Sequence, residues 1–273
     1  MNSRRRFLKT AAAFLAAGAG AIRLANGAET APAPASPAAS PATPAAPATP
    51  PPSPPAPAPA AVNRPVGVPR DTVRWWRPRH KSLTQLLRRG GCNVLFLGDS
   101  ITYQWASSGL PAWRRAIAPF TALNAGFGGD HSAHVLWHLQ NGLLDGPPDI
   151  KVIVLLAGTN DNCAPAQTVA NIAAALDEIR RRQPLAKTLL LGVLPRGEKP
   201  RTFFRNRAAK VNPSLARLAD GRRVFYKDIG AVFLAPNGNV RRELMADFVH
   251  PTAAGYEVFA DALLPELRRL LGR

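Results

Sequence analysis

Two cysteines, Cys92 and Cys163, are all that a chain of 273 residues contains. That excludes a disulfide scaffold and a four-cysteine zinc module. Acidic residues are scarce: 17 stand against 35 lysines and arginines, a net charge of +18. No run of 18 apolar residues occurs, so no ordinary membrane span is expected, either in the whole chain or in its mature form. The pentapeptide G-x-S-x-G is missing throughout, which removes the nucleophile-elbow hydrolases as a model. The phosphate-cradling G-x-x-x-x-G-K-[ST] is missing too. Hydrophobic residues still make up 46%, enough to build a core.

Proline is plentiful at 28, but it is concentrated. Residues 29–62 are almost wholly Ala, Pro, Ser and Thr, with Glu29 the one charge. Proline at every second or third position forbids helix and ladder, so a disordered, semi-rigid Pro/Ala-rich linker is expected. Ahead of it, Ser3-Arg4-Arg5-Arg6-Phe7-Leu8-Lys9 precedes an Ala/Gly-rich stretch from Thr10 to Ile22. This segment resembles a bacterial twin-arginine signal peptide over residues 1–28, with Ala25 as the small residue before a cleavage near Gly27 or Ala28. The resemblance implies export of an already folded protein to the periplasm or beyond.

From Asn63 onward the composition is that of one globular domain, residues 63–273. Five of the 35 basic and one of the 17 acidic residues precede it, which leaves this part at +14. Short apolar runs occur at 93–97, 121–124, 151–157, 187–193 and 223–227, and helical patterns lie near 112–118, 131–141, 166–182, 205–219 and 253–271. Continuously apolar strands are buried on both faces, which means a parallel sheet covered by helices. The expected fold is α/β: a three-layer α/β/α sandwich on a five-stranded parallel sheet. Cys92 then starts one strand and Cys163 follows another. If the two strands are neighbours, roughly 20 Å of strand rise separates the thiols and bars a disulfide.

Ligands of such sheets bind outside the carboxyl ends of the strands. The first strand is followed by Gly98-Asp99-Ser100-Ile101-Thr102 and the second by Asn124-Ala125-Gly126-Phe127-Gly128-Gly129-Asp130. Gly158-Thr159-Asn160-Asp161 follows the third, and Asp247-Phe248-Val249-His250-Pro251 comes near the C-terminus. Ester hydrolysis needs a nucleophile, a base and donors for a developing oxyanion. Ser100, at a strand-to-helix turn, can project its hydroxyl into the crevice. Asp247 and His250, three apart on a turn, can leave Nε2 facing the serine while the carboxylate holds Nδ1–H. A glycine can bring its N–H close to a substrate, and the Asn160 amide is a further donor. Each motif alone is a common turn or cap; their joint order at the strand ends is the signal.

Together the four segments resemble the sequence blocks of the SGNH, or GDSL-type, esterase family, whose fold is flavodoxin-like. More narrowly, the stretch from Val94 to Gly197 resembles the catalytic subunits of platelet-activating factor acetylhydrolase isoform I and their bacterial relatives. Ala122-Leu123-Asn124, His134-Val135-Leu136-Trp137, Asn141-Gly142, Leu194-Pro195-Arg196-Gly197-Glu198-Lys199-Pro200 and Lys210-Val211-Asn212 carry that likeness. It implies Ser100 as nucleophile, Asp247 and His250 as the dyad, and an oxyanion hole of Ser100 N–H, Gly129 N–H and Asn160. Gly129 is favoured over Gly128 because it directly precedes Asp130. No cofactor and no metal are implied. The implied reaction removes short acyl groups, acetyl foremost, from a small-molecule, glycan or lipid ester through an acyl-enzyme. The resembling subunits dimerise, which admits a homodimer here. Carbohydrate O-acetylesterase, lysophospholipase on envelope material, and a non-catalytic basic binding protein of the envelope are the alternatives. The four blocks together favour a catalyst.

Other clusters read as structural. His131, His134 and His138 share a helix face but lack a carboxylate or cysteine at readable spacing, so they are taken as polar helix residues rather than metal ligands. Gly126-Phe127-Gly128-Gly129 lacks the third glycine of a dinucleotide loop, His131 standing there. Trp75-Trp76-Arg77-Pro78-Arg79-His80 is expected to pack an N-terminal arm on the domain rather than bind nucleic acid. Arg180-Arg181-Arg182 is a solvated helix end.

Overall fold

Five short strands pair in parallel into one sheet: β1 (Val94–Gly98), β2 (Ala122–Gly126), β3 (Val152–Leu156), β4 (Lys187–Leu191) and β5 (Val224–Lys227), in the order β2-β1-β3-β4-β5. The computed structural model describes residues 64–273. The signal peptide expected at 1–28 and the linker at 29–62 lie outside the described residues, as does Asn63.

Strand side chains alternate between two cores. Leu95, Leu97, Ile153, Leu155 and Leu190 face one layer. There they meet α1 (Trp76–Arg88), α4 (Ser132–Gln140), α5 (Pro165–Arg182) and α6 (Phe203–Ala216). Val94, Phe96, Val152, Val154, Leu189 and Leu191 face the other, beneath α7 (Ala253–Leu271) and the irregular segment that starts at α3 (Leu110–Ala112). The three-layer sandwich and its five parallel strands are therefore as the residues implied.

Two elements differ from the sequence expectation. The helix expected over 112–118 is instead a turn of α-helix in α3, a π-helical turn at Trp113–Ile117 and a 3₁₀ turn at Ala118–Phe120. Pro119 has no N–H to donate to a carbonyl four residues back, which disfavours continuing an α-helix through it. The tryptophan-rich arm is a full helix, α1. Pro78 sits in its first turn, where a missing N–H costs nothing, and Trp76, Leu83 and Leu87 form its buried stripe.

The order in which strands are added reverses between β1 and β3. β2 lies on one side of β1, and the chain then crosses back to build β3, β4 and β5 on the other. A crevice opens there at the carboxyl ends of the strands. Cys92 precedes β1 and Cys163 follows β3, so the two free thiols sit at opposite ends of neighbouring parallel strands. Burial pushes the Cys92 thiol up to about 11.

Candidate active site

β1 ends on Gly98 for a steric reason. A Cβ there would stand 2.2 Å from the Leu156 carbonyl oxygen and 2.4 Å from Thr102 Oγ1. The next residue, Asp99, caps the short helix α2 (Ser100–Tyr103), its Oδ1 accepting from the Ile101 N–H at 2.9 Å. Ser100 thus stands at the first position of α2, directly beyond the sheet edge. From the opposite side, Tyr256 of α7 donates its hydroxyl to the Ile101 carbonyl at 2.6 Å and fastens α2 from below.

The imidazole arrives from a turn ahead of α7. Phe248 adopts φ +59°, a left-handed conformation that costs a non-glycine residue about 1 kcal/mol. Two main-chain bonds hold it there: its N–H donates to Met245 and its carbonyl accepts from the Gly197 N–H. Within this turn Asp247 Oδ1 accepts from the N–H groups of Val249 (3.0 Å) and His250 (2.8 Å). Asp247 Oδ2 lies 2.7 Å from His250 Nδ1, and His250 Nε2 lies 2.8 Å from Ser100 Oγ. A carboxylate only accepts, so Nδ1 carries the proton and Nε2 presents its lone pair to the serine hydroxyl. Partial burial works against the charged Asp247, but the bonds from His250 and Val249 outweigh it and hold the carboxyl below its ordinary value.

The other two segments converge on the same crevice. Gly129 has φ +78°, and a Cβ there would press on the Arg70 guanidinium at 3.1 Å. Arg70 itself donates to the Gly128 carbonyl at 2.8 Å. Asn160 Nδ2 donates to the main-chain carbonyl of Asp130 at 3.0 Å, and Arg196 Nη1 approaches Asn160 Oδ1 at 3.5 Å. The amide is thereby oriented from both ends, with a second N–H of Nδ2 left over. The structure brings Ser100, Gly129, Asn160, Asp247 and His250 to one end of the sheet.

Asp130 is the residue that sequence reasoning undervalued. Its carboxylate is fully buried and accepts from Trp76 Nε1 (2.8 Å), Arg70 Nη1 (3.1 Å) and His138 Nε2 (3.1 Å). His138 in turn faces His80 Nδ1 at 2.9 Å. His138 is a polar residue of α4, as expected, but Asp130 supplies the carboxylate that the sequence spacing did not reveal. His138 is 2% exposed and stacked on Phe127 because the Asp130 carboxylate completes its hydrogen bonding. Burial pushes the His138 pKa down, and likewise lowers His80 and His134 to about 4. Arg79 also belongs to this scaffold, donating to the carbonyls of Gly126 (2.9 Å) and Asn124 (3.1 Å). The order Gly-Gly-Asp was visible in the sequence, but nothing in its spacing said that three side chains would close on the aspartate. Among the described residues no group of three or more His, Cys, Asp or Glu side chains is placed to hold a metal, and no helix is long and apolar enough to cross a membrane.

Residues 96–258 match the family model of the GDSL-like lipase/acylhydrolase family. The chain belongs to this family. As a GDSL-like acylhydrolase it is a hydrolase, and its relatives are close in sequence. The alpha2 subunit of platelet-activating factor acetylhydrolase IB from Rattus norvegicus is 38% identical over 201 residues, covering 72% of this chain and 85% of that one. The human alpha1 subunit is 33% identical over 217 residues, covering 79% and 92%. Among solved structures, a GDSL-like lipase from Bacteroides thetaiotaomicron superposes with a TM-score of 0.56 at 20% identity, covering 71% of this chain and 97% of that one. This last likeness is one of fold.

Proposed function

We propose that this GDSL-like hydrolase is an exported serine esterase that removes short acyl groups, acetyl foremost, through an acyl-enzyme on Ser100. The observation that carries the reading is the unbroken hydrogen-bonded line from Ser100 Oγ through His250 to Asp247. Ser100 Oγ attacks the ester carbonyl carbon while His250 Nε2 takes its proton. Asp247 keeps the ring in the required tautomer and stabilises the imidazolium. The oxyanion is received by the N–H groups of Ser100 and Gly129 and by the free N–H of Asn160 Nδ2. The tetrahedral intermediate collapses, His250 returns the proton to the departing alcohol oxygen, and water repeats the cycle on the acyl-enzyme. The names of the relatives, acetylhydrolases, support the acetyl preference. The arginine pair at Arg4-Arg5 with Phe7-Leu8 supports export by the twin-arginine route to the periplasm or beyond, with residues 29–62 as a spacer.

The test is turnover of p-nitrophenyl acetate together with labelling by a serine-directed organophosphonate. Ser100→Ala and His250→Ala should each remove nearly all turnover. The double variant should lose little more, because such residues act as a unit. Activity that survives Ser100→Ala, or a label on another residue, overturns the assignment.

A further inference from the structure

Beside Thr159, at the carboxyl ends of β3 and β4, lies a shallow hollow open to solvent, whose enclosed part of about 10 Å³ admits one small group such as a single oxyanion oxygen. Val193, Leu194 and Phe204 form much of its wall, and its charged lining residues are Arg196 and Arg207, with no carboxylate among them. Arg207 is 8% exposed. Its Nη1 donates to the Cys163 carbonyl and its Nη2 to Thr168 Oγ1, yet its Nε has no hydrogen-bond partner. The acid it reaches, Asp161, is one hydroxyl away, since Thr168 Oγ1 donates to Asp161 Oδ2 at 2.5 Å. Arg196 sits over the Phe204 ring, its Cζ 3.8 Å from the centroid, and donates to the Thr159 carbonyl at 3.0 Å. Among the described residues no ion pair involves either arginine.

Buried charges are ordinarily paired, because removing a cation from water without an anion is expensive. Here two guanidinium groups border one hollow, one of them buried with an idle donor. A guanidinium fork matches the two oxygens of a carboxylate or phosphate. The hollow is lined by Thr159, the neighbour of Asn160, and by Arg196, which also approaches Asn160 Oδ1, so it adjoins the Asn160 side of the candidate site. We propose that it is a subsite for an oxyanion, a carboxylate or phosphate, carried by the ester substrate and received by Arg196 and Arg207. The substrate class is thereby an acidic ester rather than a neutral one. The excess positive charge of residues 63–273 concentrates such substrates near the crevice. This inference rests on Ser100 as the nucleophile, and its test separates the two.

Matched esters decide it: p-nitrophenyl acetate as the neutral reference, p-nitrophenyl hemisuccinate with its carboxylate on the acyl side, and 4-acetoxybenzoate compared with phenyl acetate for the alcohol side. The wild-type enzyme should favour one of the two anionic esters over its neutral match by about tenfold or more in kcat/KM. Arg207→Gln should abolish that preference through KM and leave p-nitrophenyl acetate turnover within about twofold. Inorganic phosphate should raise the Tm of the Ser100→Ala protein in a concentration-dependent way, a measurement that needs no catalysis. No anionic preference in the wild type overturns the proposal. So does an equal loss on neutral and anionic esters in Arg207→Gln, which would show a structural role. Protection by phosphate without any anionic-ester preference would assign the hollow to free anions and also overturns it. If Arg207→Gln does not fold, the wild-type preference and the phosphate shift decide alone. Loss of p-nitrophenyl acetate turnover in Ser100→Ala stands whichever way the anion result falls.

Discussion

Asp99 is wholly buried at the foot of α2, and its Oδ2 has no hydrogen-bond partner. It lies close enough to the Thr159 hydroxyl for that group to favour the carboxylate form, but burial dominates and pushes the pKa up to about 7. In the unfolded chain an aspartate titrates near 3.9. The folded state therefore binds more protons between those values. The stability this group contributes is full below about pH 4 and is lost as the pH rises towards 7. Asp99→Asn keeps an Oδ1 for the Ile101 N–H and cannot ionise. Relative to wild type it should gain about 1–4 kcal/mol between pH 4 and pH 7. Urea unfolding midpoints of both proteins at the two pH values check this, and an unchanged difference would show that Asp99 does not take up a proton on folding. Asn160 makes a second prediction at this scale. Asn160→Ala removes one preorganised donor, so kcat should fall by roughly 10²–10³. KM should move less, because the contact strengthens as the tetrahedral intermediate forms. A KM effect as large as the kcat effect would make Asn160 a substrate-binding group instead.

The helix α1 is tied to the Asp130 carboxylate by one indole, that of Trp76. Trp76→Phe keeps the ring packed among Phe127, Trp137 and His138 but removes the Nε1–H that reaches Asp130. A buried carboxylate short of one donor should cost about 1–3 kcal/mol. The guanidinium midpoint should drop with no change in slope; a change below a few tenths of a kcal/mol would mean that Arg70 and His138 suffice. This helix also marks where the sequence stops being legible. The strands were readable because runs such as Val152–Leu156 are apolar at every position, which only a sheet covered on both faces explains. The candidate site was readable because each of its residues lies in the loop or turn just after a strand or, for Asp247 and His250, shares one turn. α1 was not, because its basic residues and Pro78 mask a stripe of three buried apolar side chains spread over twelve residues. The Asp130 cluster was illegible for a different reason. Its partners come from residues 70, 76 and 138, and only tertiary packing brings them together.

At the scale of the molecule, residues 64–273 hold both cores, the sheet and the crevice. Deleting residues 32–60 should leave the Tm and the turnover of the purified domain near unchanged, since a proline-rich coil buries little. A large loss of stability would mean that this stretch packs on the domain. Changing Arg4 and Arg5 to Lys should strand the precursor in the cytoplasm, and undiminished export of that variant would remove the twin-arginine reading. The distance along the chain between the paired serine and histidine has a consequence of its own. Ser100 and His250 are 150 residues apart, and the histidine turn is fixed in place only when α7, the last of the described elements, docks beneath α2. On the proposed mechanism a nascent chain holds an inert hydroxyl until α7 has been synthesised and seated, so phosphonate labelling serves as a clock for that step. If the twin-arginine reading holds, the protein crosses the membrane already armed, and the cytoplasm that makes it is briefly exposed to a working esterase.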